Sequence, residues 1–352
     1  MSDKAKVLMV GTDRAAHSGI SAVVNELYGA GLDNLVDIKY IGTFKEGSKL
    51  KKFIIAALAF ARFKKELSWC DLVHIHFSSD SSFWRKSFFI KSAYRHGKKI
   101  VLHQHGGDFK TYYGSEIGEL GKRRVKKILG MGDVLLVLTP SWKEFFAQIV
   151  TETKIEVFPN GVRTDIKESS STKDYSKALF LGRVCRDKGI DELLLAMDEI
   201  HENNPDAKLY IGGIYEDQEY RQKVDSRREY VIFLGWITGE QKEKLLQECG
   251  ILVLPSYYEG MPVSIIEGML NCCVPVATKV GGIPEIIDDG VDGLLISPGD
   301  SKALTNAMLK VMNDKTYAKD LGNAGRKKVM SNYSIEKSVS RLDNIYSKLH
   351  KL

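Results

Sequence analysis

Apolar residues in this chain fall in short, unbroken, largely β-branched runs, each followed by a longer stretch with helical spacing. The first six runs lie at 7–11, 36–42, 72–77, 100–105, 134–139 and 155–159. A polar, serine-rich stretch at 167–173 intervenes, and six more runs follow at 178–182, 208–213, 231–235, 251–255, 274–278 and 294–298. A strand without polar alternation is buried on both faces, and regular strand–helix alternation makes neighbouring strands parallel. The pattern predicts two doubly wound α/β domains, with the linker between about 163 and 175. The last stretch, 334–352, reads as a helix with Ile335, Val339, Leu342, Ile345 and Leu349 on one face. It is expected to pack back on the first domain.

Composition agrees with this picture. At 352 residues the chain is too long for one ordinary core, and 43% hydrophobic residues can bury two. The apolar run at the start is too short for a secretory leader. The longest strongly apolar run, 53–61, covers nine residues, against roughly twenty needed to cross a bilayer. Five cysteines without metal-type spacing (Cys70, Cys185, Cys249, Cys272, Cys273) indicate a reducing compartment. The expected location is therefore cytoplasmic.

Charge changes the picture more. The net +6 divides into +9 for residues 1–170 and −3 for 171–352. Lys49, Lys51, Lys52, Arg62, Lys64 and Lys65 flank the 53–61 run, and a second basic group surrounds 85–99. Such clusters suit a membrane surface or a lipid diphosphate; nucleic acid is not among the expected partners. Basic ends around an apolar middle allow 49–67 to lie on an anionic membrane. A run apolar on every side fits a buried core helix equally well.

Two segments carry candidate chemistry. At 256–269 a strand ends and a loop with Glu259, Gly260 and Met261 enters a helix near Pro262, placed at its first position. The amides of Val263 and Ser264 would then point outward, where a phosphate gains hydrogen bonds and the positive end of a helix dipole. Glu267, on the inner face, would reach ribose hydroxyls, and Glu259 those of a sugar. An ordinary turn with two solvated glutamates would look the same in isolation. At 181–189 a strand end is followed by Arg183 and Lys188, two cations on one loop, which a departing diphosphate needs. Each residue taken singly also fits a surface ion pair.

Together these segments resemble the retaining glycosyltransferases of the GT-B fold, specifically family 4, whose Glu-x7-Glu motif matches Glu259 and Glu267. The resemblance includes the Gly182-Arg183 to Lys188-Gly189 loop, Phe158-Pro-Asn-Gly-Val162, Phe233-Leu-Gly-Trp236 and Gly281-Gly-Ile-Pro-Glu285. It implies two Rossmann-like domains facing across a cleft, an acceptor-binding domain at 1–165 with the helix 334–352, and a nucleotide-sugar-binding domain at 166–333. By the same resemblance Arg183 and Lys188 hold the diphosphate and Glu267 the ribose. Glu259 and the backbone of 260–262 hold the donor sugar, Trp236 and Ile237 face the base, and Gly19 meets the donor phosphates. His105, after the fourth strand, is the candidate histidine, with His103 a packed alternative and Asp108 an acceptor contact. Departures from the family pattern are Gly212-Gly-Ile-Tyr215, Arg163, and Ser18 in place of the first of two paired glycines before Gly19.

The implied reaction is transfer of a hexosyl group, with retention, from a nucleotide-diphosphate sugar to a saccharide or lipid-linked saccharide, as in bacterial polysaccharide assembly. A UDP-sugar is favoured over GDP-mannose. There is no Asp-x-Asp motif, and Asp217-Gln-Glu219 reads as part of a solvated helix, so neither metal nor cofactor is expected. A dinucleotide oxidoreductase is disfavoured by Gly11-Thr-Asp-Arg-Ala-Ala, which lacks the Gly-x-Gly-x-x-Gly turn. An epimerase or hydrolase on the same fold, or a non-catalytic subunit, stays as the alternative.

Overall fold

The structure is a computed structural model that describes residues 4–45, 47–165 and 173–351. Residues 166–172, most of the serine-rich stretch expected as the linker, lie outside the described residues. Each of the twelve apolar runs is a strand. β1 (Lys6–Gly11), β2 (Asp37–Gly42), β3 (Leu72–Phe77), β4 (Lys99–Gln104), β5 (Val134–Val137) and β6 (Lys154–Val157) form one sheet in the order β2-β1-β3-β4-β5-β6. β7 (Asp174–Leu181), β8 (Lys208–Gly212), β9 (Val231–Gly235), β10 (Cys249–Leu254), β11 (Val274–Thr278) and β12 (Leu294–Ile296) form a second, in the order β12-β11-β10-β7-β8-β9. Every pairing in both sheets is parallel. All six residues of β3 and of β10 are buried, as strands covered on both faces require.

The chain divides into two compact units, Met1–Arg163 with Ile335–Leu352, and Thr164–Ser334. The first holds α1 (Gly19–Gly29), α2 (Lys49–Glu66) and α3 (Asp80–Arg95); the second holds α4 (Ile190–Asn203), α5 (Gly239–Glu248) and α6 (Val263–Leu270). α7 (Ile335–His350) closes the first unit. It buries the five apolar residues read from its spacing and also Tyr346. Its register is fixed by Ile335 N donating to the Val162 carbonyl at 2.9 Å, by the ion pair Arg341–Glu156 at 3.3 Å and by the contact of His350 Nδ1 with the Asp71 carboxylate at 3.2 Å.

Strand order decides where a ligand can sit. In an open parallel sheet the crevice forms where neighbouring strands send their chains to opposite faces. That point lies between β1 and β3 in the first unit and between β7 and β10 in the second. The loops after β7 and β10 carry Arg183, Lys188 and Glu259, so these residues stand at the second unit's switch point. Among the described residues, no helix is long and apolar enough to cross a membrane.

Candidate functional site

In the second unit the loop after β7 runs through Arg183, which pairs with Glu216 at 2.5 Å on the exposed rim. The chain then makes one 3-10 turn, Arg186–Lys188, and leaves it at Gly189 with φ +69°. A Cβ at 189 would lie 2.0 Å from the Pro255 carbonyl oxygen. Only glycine allows this approach, and it brings the loops after β7 and β10 together. Tyr257 N then donates to the Asp187 carbonyl at 2.8 Å.

That junction sets Lys188 against Glu259, Nζ to Oε1 at 2.5 Å, with the two side chains only 17% and 10% exposed. Ser256 Oγ donates to the same carboxylate oxygen at 2.8 Å. The loop after β11 presses in from the other side. Gly281 has φ +55°, a Cβ there would lie 1.6 Å from the Glu259 carbonyl oxygen, and Gly282 N donates to the Gly260 carbonyl at 2.9 Å. Three strand-end loops thus hold one buried carboxylate in a single place.

Helix α6 begins one residue later than the sequence suggested. Pro262 is its cap, with extended ψ of 119°, and Val263 its first residue. The physical reason is the junction itself, which keeps Pro262 in the incoming loop. No side chain caps the helix, so the amides of Val263 and Ser264 keep the outward direction that suits an anion. Gly260, Met261 and Pro262 are buried. Glu267 pairs with Lys242 of α5 at 2.7 Å. After β9, Trp236 is 41% exposed. Ile237, next to it, is buried and packs on Gly212, where an added Cβ would lie 2.7 Å from it. Asp217 also differs, because the helix there is Glu219–Asp225 and Asp217 lies in the preceding turn.

In the first unit, His105 is the first residue past β4, its amide donating to the Phe77 carbonyl at 2.9 Å. His76 Nδ1 and His105 Nε2 share a hydrogen bond of 2.9 Å, and His74 Nδ1 shares one of 2.5 Å with Tyr346 Oη. The parallel register sets His76 opposite His103, so β3 and β4, with His105 just past its end, contribute alternate histidines to one face; His74 stacks on His76 and His103, and the His103 and His105 rings tilt against each other. Burial holds all four imidazoles neutral: His74 and His105 are each lowered to about 3, and His76 and His103 fall well below the ordinary 6.5. The Lys86 ammonium adds to this for His76 and His105. Lys86 itself is fully buried on α3, its Nζ without a hydrogen-bond partner among the described residues, and burial pushes its pKa well down.

The nitrogens of His74, His76 and His103 approach within 4.8 Å of one another. However, His74 and His103 lie face to face at 8°, and Lys86 is near. Stacked faces do not suit a divalent cation, which needs lone pairs converging on one point about 2 Å away. Asp108 accepts from Ser79 Oγ at 2.5 Å and is tied into the loop after β3. Gly19 is exposed in open space at the start of α1, where Ser18 Oγ already accepts from Ser21 N at 3.2 Å. The structure therefore joins Lys188 to Glu259, gives Arg183 and Glu267 other partners, and adds three residues the motifs did not point to: Ser256, Glu216 and Lys242. Ser256 was within reach of the sequence, three positions before Glu259; Glu216 and Lys242 carried no signal.

Two family models match the chain: Glycosyltransferase Family 4 over residues 22–166 and Glycosyl transferases group 1 over 162–328. An α-1,4-N-acetyl-D-galactosaminyltransferase of Campylobacter jejuni, named for a diphosphoundecaprenol-linked GalNAc acceptor, is 30% identical over 56% of this chain and 55% of its own. The chain spans 59%, 53% and 55% of the length of three such curated relatives. Among solved structures, sucrose-phosphate synthase from Thermosynechococcus elongatus superposes with a TM-score of 0.81 at 19% identity, covering 98% of this chain and 99% of that one. Anabaena HepE in complex with UDP-glucose gives 0.78 at 16% identity, over 97% and 99%. These two likenesses establish the GT-B fold.

Proposed function

The chain belongs to the GT-B glycosyltransferases that its two halves match, and from that premise we propose that it transfers a hexosyl group from a nucleotide-diphosphate sugar, UDP-linked by preference, to a saccharide or lipid-linked saccharide. The observation that carries this reading is the Lys188–Glu259 pair at 2.5 Å, set at a switch point beside the start of α6. A cation and a carboxylate held side by side can each change partner: Lys188 turns to a diphosphate oxygen and Glu259 to the hydroxyls of the attached sugar. Arg183–Glu216 and Lys242–Glu267 offer the same exchange at the outer phosphate and the ribose. Trp236 supplies an exposed ring for the base.

In this reading, as the C1–O bond to the diphosphate breaks, negative charge grows on the leaving oxygen. Arg183, Lys188 and the amides of Val263 and Ser264 stabilise it, each charged hydrogen bond contributing on the order of 1.5–3 kcal/mol. The acceptor hydroxyl forms the new C1–O bond on the face from which the diphosphate departs, and its proton passes to the departing phosphate oxygen. Configuration is then retained. Two fixed cations take the part a metal plays elsewhere, so transfer proceeds without one. His105, neutral because burial lowers it to about 3, serves as a hydrogen-bond partner for a sugar hydroxyl and not as an acid.

The basic first unit, together with the diphosphoundecaprenol in the name of the Campylobacter relative, favours a lipid-diphosphate-linked acceptor and work at the cytoplasmic face of an anionic membrane in bacterial polysaccharide assembly. The test is an assay with UDP-sugars and undecaprenyl-diphosphate-linked saccharides in EDTA. Product with retained anomeric configuration is expected. Hydrolysed or epimerised donor at full rate without acceptor would select the alternative chemistry, and activity restored only by magnesium would overturn metal independence.

A further inference from the structure

Helix α2 resolves the ambiguity of the 53–61 run in a direction its sequence left open. Ala59 and Phe63 are buried, and Phe63 packs edge to face on Phe89 of α3 with centroids 5.0 Å apart. On the opposite side Leu50, Phe53, Ile54 and Leu58 are 69%, 72%, 48% and 66% exposed. At 100° per residue these four fall with Ala57 and Ala61 on one continuous stripe. Phe88 of α3, 62% exposed, extends it, its ring 6.5 Å from Phe60. Soluble proteins rarely leave large apolar side chains grouped in this way.

The charges around the stripe have one sign. Lys51, Lys52, Arg62, Lys64 and Lys65 are exposed on α2, and Lys91 lies over the Phe88 ring at 5.9 Å. The only acid on α2, Glu66, is paired with Lys39 at 2.6 Å. We propose that this face docks on an anionic lipid bilayer, the aromatic and leucine side chains entering the interface while the lysines and arginines meet lipid phosphates. A second copy of the chain fits less well: in a two-fold dimer the same face would meet itself, cation against cation. The inference deepens the lipid-linked acceptor reading, which gives the docking its purpose, but the surface stands on its own side chains.

The test is co-sedimentation of the full chain with vesicles of phosphatidylglycerol and phosphatidylcholine, or of phosphatidylcholine alone, without sugars. Binding to the anionic vesicles should be at least about tenfold tighter and should weaken with salt. The double variant Phe53→Glu/Leu58→Glu should lose about tenfold or more, with unchanged melting temperature and unchanged UDP affinity. Because both positions are exposed, the variant folds. Phe53→Trp provides an independent check and should shift tryptophan emission to the blue only with anionic vesicles. Equal binding to both vesicle types, no binding, or a double variant that binds like its parent would overturn the proposal. So would a parent dimer on gel filtration that the double variant makes monomeric, which would assign the face to a second copy. Because UDP binding is measured separately, failure here leaves the transferase reading intact, and loss of UDP binding leaves the docking result standing.

Discussion

Lys188 and Glu259 are both more than four-fifths buried as side chains, so each depends on the other more than a surface pair would. Lys188→Met should therefore act twice. Nucleoside diphosphate affinity should fall about 10–100-fold, the effect of one charged hydrogen bond, and the melting temperature should drop because Glu259 is left without its cation. Adding Glu259→Gln should recover the stability and not the affinity, since the amide no longer needs a counter-charge. Calorimetry and thermal unfolding separate the two effects. The motif spacing brought Lys188, Arg183 and the two glutamates into view. It did not show that Lys188 and Glu259 touch, because 71 residues separate them and the contact exists only where two loops meet. The buried histidines give a second residue-scale prediction. The folded value of His74 is lowered to about 3 from an ordinary 6.5, so its contribution to stability is complete above about 6.5. It is lost as pH falls toward 3, at up to about 1.4 kcal/mol per pH unit, because only the unfolded chain takes the proton. Denaturant titrations at about pH 7 and about pH 4.5 should show that loss, and His74→Asn should remove one imidazole's share of it, leaving the shares of His76, His103 and His105. Lys86→Met should raise stability by on the order of 1 kcal/mol or more, since it removes a buried amine whose Nζ has no hydrogen-bond partner among the described residues.

At the scale of elements, strand–helix alternation identified all twelve strands, because a strand buried on both faces cannot hide its apolar run. Alternation says nothing about which strands lie side by side. That β10 sits beside β7, and not beside β9, is what brings the loop of Lys188 to the loop of Glu259, and no local pattern encodes it. The same applies to the histidine stack, which needs the β3–β4 register that sets His76 opposite His103. Helix α2 was ambiguous for a related reason: a run apolar on every side does not reveal which side a neighbour covers. Glycines mark these junctions. Gly281→Ala would put a Cβ 1.6 Å from the Glu259 carbonyl oxygen at φ +55°. It should cost at least about 1–3 kcal/mol from the backbone alone and weaken sugar-nucleotide binding more than binding of the bare nucleoside. Thermal unfolding and paired titrations with UDP and UDP-glucose measure both effects. Equal loss for the two ligands would remove Glu259 from the sugar side.

For the molecule as a whole, the asymmetry of charge visible in the sequence, +9 over residues 1–170 against −3 beyond, corresponds to a division of labour between the units. The second unit contributes paired cations and carboxylates at a switch point. The first contributes a neutral histidine stack and, on α2, an apolar stripe bordered by lysines and arginines. At the centre is an exchange proposed for the second unit, in which Lys188 leaves Glu259 to take a donor diphosphate. It is tested most directly by isothermal titration of UDP, GDP and ADP into the full chain and into Lys188→Met. At least one nucleoside diphosphate, UDP first, should bind the parent and should bind the cooperatively folded variant about 10–100-fold more weakly. Undiminished affinity in the folded variant, or no binding of any of the three to the parent, would contradict it.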